Sequence, residues 1–251
     1  MPSKPLIIAH RGVSSLEIEN TMPAFRRAVE IGAPMLEFDV QQTKDKKLVI
    51  CHDFNLKRLG GVDIDIDKMS FDELREIKIK NPEISEEKTG SIPTLEDFLK
   101  EFVGKIDFNL EIKSVSGHVF TEIDQLLNLL DFYKAQNSVS ISSFDFGIMQ
   151  KINALRSDLK LAVLASGSDL RWWNRCFDER RAIRKALSVK AVNLHFPVKK
   201  LRKNFINKIH EAGLKAFTYT VYPGKDFEKC LECGVDGIFT NHPQEFIDPV
   251  K

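Results

Sequence analysis

The segment LEFDV at residues 36–40 decides the fold of this chain, because charged and apolar residues alternate along it with a period of two. Successive side chains of a β-strand point to opposite faces, so Glu37 and Asp39 share one face and the three apolar residues share the other. The segment NLEIK at residues 109–113 alternates in the same way, with one face formed by Asn109, Glu111 and Lys113. Both segments predict strands with a polar inner face and an apolar face packed against helices.

Similar short apolar segments alternate with amphipathic stretches through most of the chain. We predict eight strands, at Leu6–Ala9, Met35–Val40, Ile106–Ile112, Val139–Ser142, Leu161–Leu164, Ala191–Leu194, Ala216–Thr220 and Gly237–Phe239. Amphipathic stretches such as Thr21–Ile31 and Lys199–Ala212 lie between them. Repeated βα units predict an α/β protein with a (β/α)8 TIM barrel, and a doubly wound open sheet is the alternative that the same local pattern allows.

One interval is too long for a simple βα unit. After the apolar run at 48–52, the next strong strand begins only at Ile106. We therefore predict a single domain over residues 1–251 with a small insertion after the second strand, at about residues 54–91. Thr94 as N-cap, with Asp97 three residues later, predicts that a helix begins directly after this insertion.

Composition excludes several classes of protein. Hydrophobic residues make up 43% of the 251 residues and charged residues 29%, which is typical of a folded globular chain and excludes intrinsic disorder. The net charge of +1 provides no diffuse field for nucleic acid or an anionic membrane, so we expect neither as a partner. Four cysteines and no long apolar segment predict a cytoplasmic protein without a disulfide framework or a membrane span.

The predicted carboxyl ends of the strands carry the residues that suggest chemistry, since barrel enzymes have their active sites at that face. The carboxylates of Glu37, Asp39 and Glu111 would converge there, and burying three like charges is costly unless a cation compensates them. Hard oxygen ligands suit Mg²⁺, Ca²⁺ or Mn²⁺ better than Zn²⁺. The alternative is that these carboxylates only form ion pairs with Arg11 and Lys113.

Two histidines lie at strand ends near this predicted acidic cluster. His10 follows the first strand, and His52 follows the short apolar run after the second. A single histidine in such a place is more often structural than catalytic. A pair of imidazoles beside a cation is typical of phosphodiester cleavage, because one can take a proton from the nucleophile while the other protonates the leaving alkoxide.

The motifs resemble, in order, those of the glycerophosphodiester phosphodiesterase family. They are AHRG at 9–12, ENT at 19–21, LEFDV at 36–40, CHD at 51–53, IPTLED at 92–97, NLEIK at 109–113, SF at 143–144, TYTV at 218–221 and GVDGIFT at 234–240. The resemblance implies a TIM barrel that hydrolyses glycerophosphodiesters, which are small molecules, to sn-glycerol 3-phosphate and an alcohol with one divalent cation. It also implies roles for individual residues: Glu37, Asp39 and Glu111 as metal ligands, His10 and His52 as acid and base, Arg11 and Lys113 as phosphate contacts, and Asn20 in ordering the first loop.

The chain departs from the family pattern at four positions. They are Ile18 in place of Pro, Tyr219 in place of Trp, Tyr222 in place of Asn, and Asn241 in place of Asp. None of these positions is an expected ligand or catalytic histidine. We expect the differences to alter the pocket for the leaving alcohol.

Other features leave alternative functions open. Trp172 and Trp173 lie among arginines, and contact of this segment with lipid headgroups would suit a lysophospholipase D. A non-catalytic module that binds a phosphate ester is the alternative from another class, although a binder needs no acid and base. His195 and Asn193 are candidates for the mouth of the site, and Cys230 and Cys233 are interpreted as structural.

Overall fold

The computed structural model describes residues 4–81, 83–165 and 175–247, without the side chains of residues 86 and 175–178. Its strands are β1 (Leu6–His10), β2 (Met35–Gln42), β3 (Leu48–Ile50), β4 (Ile79–Asn81), β5 (Ser85–Gly90), β6 (Asp107–Ile112), β7 (Val139–Ser143), β8 (Lys160–Leu164), β9 (Asn193–Pro197), β10 (Lys215–Tyr219) and β11 (Gly237–Thr240). The eight predicted strands correspond to β1, β2 and β6–β11. The largest difference is at β9, which begins two residues later than predicted and extends to Pro197.

Eight of these strands form a closed parallel barrel. Their order is β1-β2-β6-β7-β8-β9-β10-β11, and β1 pairs with both β2 and β11. Because the first strand has a partner on each side, the sheet has no open edge there, and the doubly wound alternative is wrong. The predicted (β/α)8 TIM barrel is confirmed. The short strand β3 is not one of the eight barrel strands, and it pairs antiparallel with the end of β2.

Helices surround the barrel between successive strands. They are α1 (Met22–Glu30), α2 (Lys57–Gly60), α3 (Phe71–Arg75), α4 (Leu95–Phe102), α5 (Ile123–Phe132), α6 (Phe146–Leu155), α7 (Arg175–Ser188), α8 (Lys203–Glu211) and α9 (Lys225–Cys233). The predicted cap of α4 is confirmed: Thr94 Oγ1 accepts from the Asp97 N–H at 3.0 Å, and Asp97 Oδ2 accepts from the Thr94 N–H at 3.1 Å. In the described part of the chain, no helix is long and apolar enough to span a bilayer.

The segment between β3 and α4 departs from the βα repeat. It contains α2, a 3₁₀ helix at Ile66–Lys68, α3 and the antiparallel pair β4–β5. This segment and the residues next to it share a separate apolar cluster, formed by Ile18, Val49, Cys51, Leu56, Leu59, Ile66, Met69, Leu74, Ile79 and Ile92. The β4–β5 pair was not predicted, because the polar run at 81–91 lacks the apolar alternation of a half-buried strand.

The apolar face of β2 points outward into the helices. The ring of Phe38 lies 4.2 Å from that of Phe98 in α4 and 5.6 Å from that of Phe108 in β6, centroid to centroid. Side chains alternate along the strand, so this outward packing turns Glu37 and Asp39 into the barrel, where they are 2% and 1% exposed. Core packing therefore fixes the direction in which the carboxylates point.

Candidate active site

Three carboxylates converge at the carboxyl ends of β2 and β6. Glu37, Asp39 and Glu111 each offer an oxygen, and these oxygens all lie within 4.8 Å of one another. Parallel pairing of β2 with β6 sets Asp39 beside Glu111 in register. The structure thus brings together the three residues that the sequence suggested as ligands.

Two cations lie against this cluster. Lys113 Nζ donates to Glu111 Oε1 at 2.9 Å and lies 3.5 Å from Asp39 Oδ1, while Arg11 Nε lies 3.4 Å from Asp39 Oδ2. Glu37 accepts a hydrogen bond from the backbone N–H of Arg11 at 2.9 Å. The ring Nε2 of His10 lies 3.8 Å from Glu37 Oε2. The ion pairs proposed as an alternative to metal binding exist, but they leave Glu37 without a cationic side chain of its own.

The pKa values of the three carboxyl groups reflect this uneven distribution of cationic partners. Burial, followed by the charge of Asp39, raises the pKa of Glu37 well above its ordinary value, and burial also raises the pKa of Glu111. Burial also acts to raise the pKa of Asp39, but Lys113 and Arg11 outweigh it and hold that pKa below the usual range. A further positive charge at Glu37 would stabilise the ionised cluster.

A tight turn after β1 positions Arg11. Gly12 has a φ of +80°, and a Cβ built there would lie 2.7 Å from the backbone of Ala24 in α1. Only glycine fits at this position, because the loop backbone lies so close to the helix. Arg11 itself has a φ of 58°, which directs its N–H to Glu37. The glycine of the AHRG motif therefore serves the placement of the arginine.

A chain of ion pairs connects this cluster to His52. Arg11 donates to Glu19 at 2.8 Å, and Arg58 of the insertion makes two 2.8 Å hydrogen bonds to the same carboxylate. Arg58 Nε also donates to Asp53 at 2.6 Å, and His52 Nδ1 lies 2.8 Å from Asp53 Oδ1. Sequence reasoning missed Glu19 and Arg58. The ENT motif contains the first, but no signal marks the second.

The charges of the site do not balance. The connected groups comprise five carboxylates, Glu19, Glu37, Asp39, Asp53 and Glu111, and three cationic side chains, Arg11, Arg58 and Lys113. With all five carboxyl groups ionised and the histidines neutral, these groups would carry an excess of two negative charges. One divalent cation would compensate that excess, and three hard oxygen donors are the ligands that such an ion prefers. The residues present therefore fit the metal that the sequence suggested.

The two histidines differ in their partners. His10 Nδ1 lies 2.7 Å from the amide oxygen of Asn241, and burial, followed by the charge of Arg11, lowers the pKa of His10 to about 3. A neutral His10 that donates its Nδ1–H to this amide has its lone pair on Nε2. His52 faces the carboxylate of Asp53 instead. Asn241 thus contacts His10, and its expected effect on the alcohol-side pocket stays a prediction.

Asn20 has a closer connection to the cluster than the sequence suggested. Its backbone N–H donates to the carbonyl of Arg11 at 3.0 Å, which orders the first loop as predicted. Its side chain also donates to Asp39 Oδ2 at 2.8 Å. Asn20 therefore orients a candidate ligand as well as the loop.

A cleft opens beside these groups. Its lining includes His10, Arg11, Glu37, His52, Asn109, Glu111, Lys113, Phe144, His195, Tyr219 and Phe239. His195 lines this cleft and is 1% exposed. Trp172 and Trp173 lie outside the described residues.

A second group of potential ligands lies in and near the insertion. Asp65, Asp67 and His118 offer atoms within 4.8 Å of one another. Asp67 already pairs with Lys68 and with His118, at 3.4 and 3.1 Å. We assign no ion to this group.

Comparisons with known proteins place these features in a family. The model of the glycerophosphoryl diester phosphodiesterase family matches residues 10–245. A glycerophosphodiester phosphodiesterase of Caldanaerobacter subterraneus subsp. tengcongensis is 31% identical over 99% of this chain and 98% of its own. The fold resembles that of a putative glycerophosphoryl diester phosphodiesterase from Silicibacter pomeroyi, with a TM-score of 0.87, 22% identity and coverage of 98% and 94% of the two chains. It also resembles an Oleispira antarctica phosphodiesterase solved with the product sn-glycerol-3-phosphate, with a TM-score of 0.82, 25% identity and coverage of 96% and 94%.

Proposed function

Because this chain belongs to the glycerophosphoryl diester phosphodiesterase family, we propose that it hydrolyses glycerophosphodiesters to sn-glycerol 3-phosphate and an alcohol with one bound divalent cation. The family and the phosphodiesterase class expected from the motifs are confirmed. One observation carries the rest of the proposal: three carboxylates, two cationic side chains and two histidines line or adjoin one cleft.

Glu37, Asp39 and Glu111 would hold the cation, which we propose to be Mg²⁺, Ca²⁺ or Mn²⁺. When bound, such an ion stabilises negative charge on the phosphoryl oxygens. Asn20 keeps Asp39 oriented through the 2.8 Å hydrogen bond to Oδ2. The excess of two negative charges at the site supports a divalent ion over a monovalent one.

Arg11 and Lys113 would bind the phosphate of the substrate. Both side chains line the cleft and lie beside the carboxylates, so a phosphate there would receive cationic hydrogen-bond donors from the residues directly after β1 and β6. Glu19, which holds Arg11 at 2.8 Å, limits the positions that the guanidinium can adopt. The same contacts orient the phosphorus between the two histidines.

The partners of the histidines support different roles for them. His10, held neutral by burial and Arg11, would act as the base through Nε2. His52 would act as the acid, since Asp53 accepts from Nδ1 and compensates positive charge on the ring. The nucleophile that gives its proton to His10 is either water or the glycerol 2-hydroxyl, which would form a cyclic phosphate. An analogue without that hydroxyl separates the two, because full-rate hydrolysis of it excludes the cyclic route.

Turnover of glycerophosphocholine and lysophosphatidylcholine, each assayed with Mg²⁺, Ca²⁺ and Mn²⁺ in turn, tests the proposal. We expect release of choline from glycerophosphocholine with at least one of the metals and none after chelation. Turnover of lysophosphatidylcholine alone would instead support a lysophospholipase D, and tight binding without product would support a binding module. The single domain and the cytoplasmic location expected from the sequence stay predictions.

A further inference from the structure

The ring of His52, the proposed acid, is held by groups that lie outside the cleft. His52 Nδ1 lies 2.8 Å from Asp53 Oδ1, and the other oxygen of that carboxylate accepts from Arg58 Nε at 2.6 Å. Among the described residues, the cleft lining includes His52 but neither Asp53 nor Arg58. Any effect of Arg58 on the reaction must therefore pass through a side chain that it contacts.

The guanidinium of Arg58 donates from all three of its nitrogens. Besides the Nε bond to Asp53, Nη1 and Nη2 donate to the two oxygens of Glu19, each at 2.8 Å. The Glu19 side chain is 9% exposed and also accepts from Arg11, the proposed phosphate contact. One planar group thus joins the carboxylate behind the acid to the carboxylate that holds the phosphate contact. Its rigid fork of donors fixes their relative positions.

Other contacts hold the backbone around these side chains. Gln41 Nε2 donates to the carbonyls of Cys51 and Asp53, at 2.7 and 2.8 Å. Leu59, which directly follows Arg58 in α2, is buried in the same apolar cluster as Cys51. Removal of the Arg58 side chain should therefore leave the path of the chain unchanged and release only the carboxylates that it holds.

The ring of His52 depends on such a restraint because it is not enclosed. Its side chain is 33% exposed, and that of Asp53 is 24% exposed. Burial acts to raise the pKa of Asp53, but the hydrogen bonds with His52 and Arg58 outweigh it and hold that pKa below the usual range. The ionised carboxylate accepts from the Nδ1–H, which leaves Nε2 as the nitrogen that can give a proton to the leaving alkoxide.

Resting on the proposed function, we propose that Arg58 is a positioning residue for protonation of the leaving alcohol. It holds Asp53, and through Asp53 the ring of His52, in a fixed place relative to the phosphate bound by Arg11. The step itself is unchanged: the proton passes from His52 Nε2 to the oxygen of the breaking P–O bond. The insertion thereby takes part in the reaction, although none of the described residues among 54–91 lines the cleft.

The test compares two leaving groups in Arg58→Ala, with glycerophosphocholine and the p-nitrophenyl ester of glycerol phosphate as substrates. We expect kcat for glycerophosphocholine to fall by roughly 10- to 100-fold, because a small misplacement of a reacting group has effects of that size. Its KM should stay within about twofold, since Glu19 still holds Arg11. With the p-nitrophenyl ester kcat should fall by less than about threefold, because this leaving group needs no proton.

Three further variants complete the design. Arg58→Lys keeps the charge, but one ammonium cannot replace the fork, so most of the defect should remain. Asp53→Ala should show the same dependence on the leaving group, and adding Arg58→Ala to it should lower kcat by no more than about a further twofold, because the two residues act in series. Lys57→Ala is the matched control, since Lys57 also lies in α2 and pairs with the exposed Asp63 at 3.0 Å. It should match wild type on both substrates.

The ratio of the two turnover rates separates positioning from stability, because partial unfolding lowers both rates by the same factor. An unchanged ratio in Arg58→Ala, Arg58→Lys and Asp53→Ala, with wild type active on both esters, would overturn the inference and leave the proposed function intact. Wild-type activity in Arg58→Lys, or effects that multiply in the double variant, would also overturn it. If wild type hydrolyses neither ester with any of the three metals, the proposed function fails and the inference falls with it.

Discussion

The amide oxygen of Asn241 lies 2.7 Å from Nδ1 of His10, although 231 positions separate the two residues in the chain. The contact crosses the seam where β1 pairs with β11, and it exists only because the barrel closes there. A neutral amide in this place keeps the proton on Nδ1 without adding negative charge. It therefore favours an uncharged His10 whose Nε2 can accept a proton.

Changing the charge of this partner should change the pH dependence of activity. In Asn241→Asp the new carboxylate stabilises the protonated form of His10 and raises its pKa. A base works only when unprotonated, so the acidic limb of the profile of kcat/KM should move to higher pH, by about one unit or more. Asn241→Leu, which adds no charge, should lower kcat without moving the limb upward. An unchanged acidic limb in Asn241→Asp would remove His10 from the role of base.

The two histidine variants should differ in how their turnover depends on the leaving group of the substrate. His10→Ala and His52→Ala should each lower turnover of glycerophosphocholine by about 10²- to 10⁴-fold, the usual contribution of an acid or base. A p-nitrophenyl leaving group needs no protonation, so His52→Ala should recover much of its activity on such a substrate while His10→Ala should not. His210→Ala, on the outer helix α8, is the control and should match wild type. Recovery in His10→Ala instead would reverse the assignment.

Removal of the metal should lower the Tm of wild type, whereas Glu37→Gln should raise the Tm of the metal-free protein. Chelation should abolish activity, and re-addition of Mg²⁺, Ca²⁺ or Mn²⁺ should restore it. Without metal, Glu37→Gln should raise Tm by a few degrees, because the variant removes a buried carboxylate whose pKa burial raises well above its ordinary value. About 1 kcal/mol shifts Tm by roughly 2–4 °C at this chain length. Added metal should raise the Tm of wild type and not that of the variant.

Asp67→Asn is the control for the metal experiment, because Asp67 belongs to the second group of potential ligands. Its metal requirement for activity should equal that of wild type. Metal-dependent activity that is lost in Asp67→Asn and kept in Glu37→Gln would place the essential ion elsewhere.

Glu19 should contribute strongly to stability. Its side chain is 9% exposed and accepts from both Arg11 and Arg58, so Glu19→Ala leaves two guanidinium groups without their shared carboxylate. We expect a loss of about 3 kcal/mol in the free energy of unfolding, measured in urea, together with a lower kcat/KM from a displaced Arg11. Glu101→Ala removes the exposed pair with Arg26 and should cost at most about 1 kcal/mol. Equal losses in the two variants would contradict the role of Glu19.

Short-range regularities account for the parts of the fold that the sequence predicted. The alternation in LEFDV and NLEIK set the direction of five polar side chains, and the capping pair Thr94 and Asp97 placed the start of α4. The β4–β5 pair escaped prediction because its residues are mostly polar and exposed. Arg58 escaped because it lies in the insertion, where no motif connects it to Glu19 or Asp53.

The amino-acid sequence alone determined which faces of the strands are polar, the order of the βα units and the family to which the chain belongs, since these depend on residue spacing. Only the tertiary structure decided that Asn241 contacts His10, that Arg58 joins Glu19 to Asp53, and that a buried His195 lines the cleft. Barrel closure and the packing of the insertion bring these residues together. Such contacts are set by the three-dimensional path of the chain, and spacing along the sequence does not encode them.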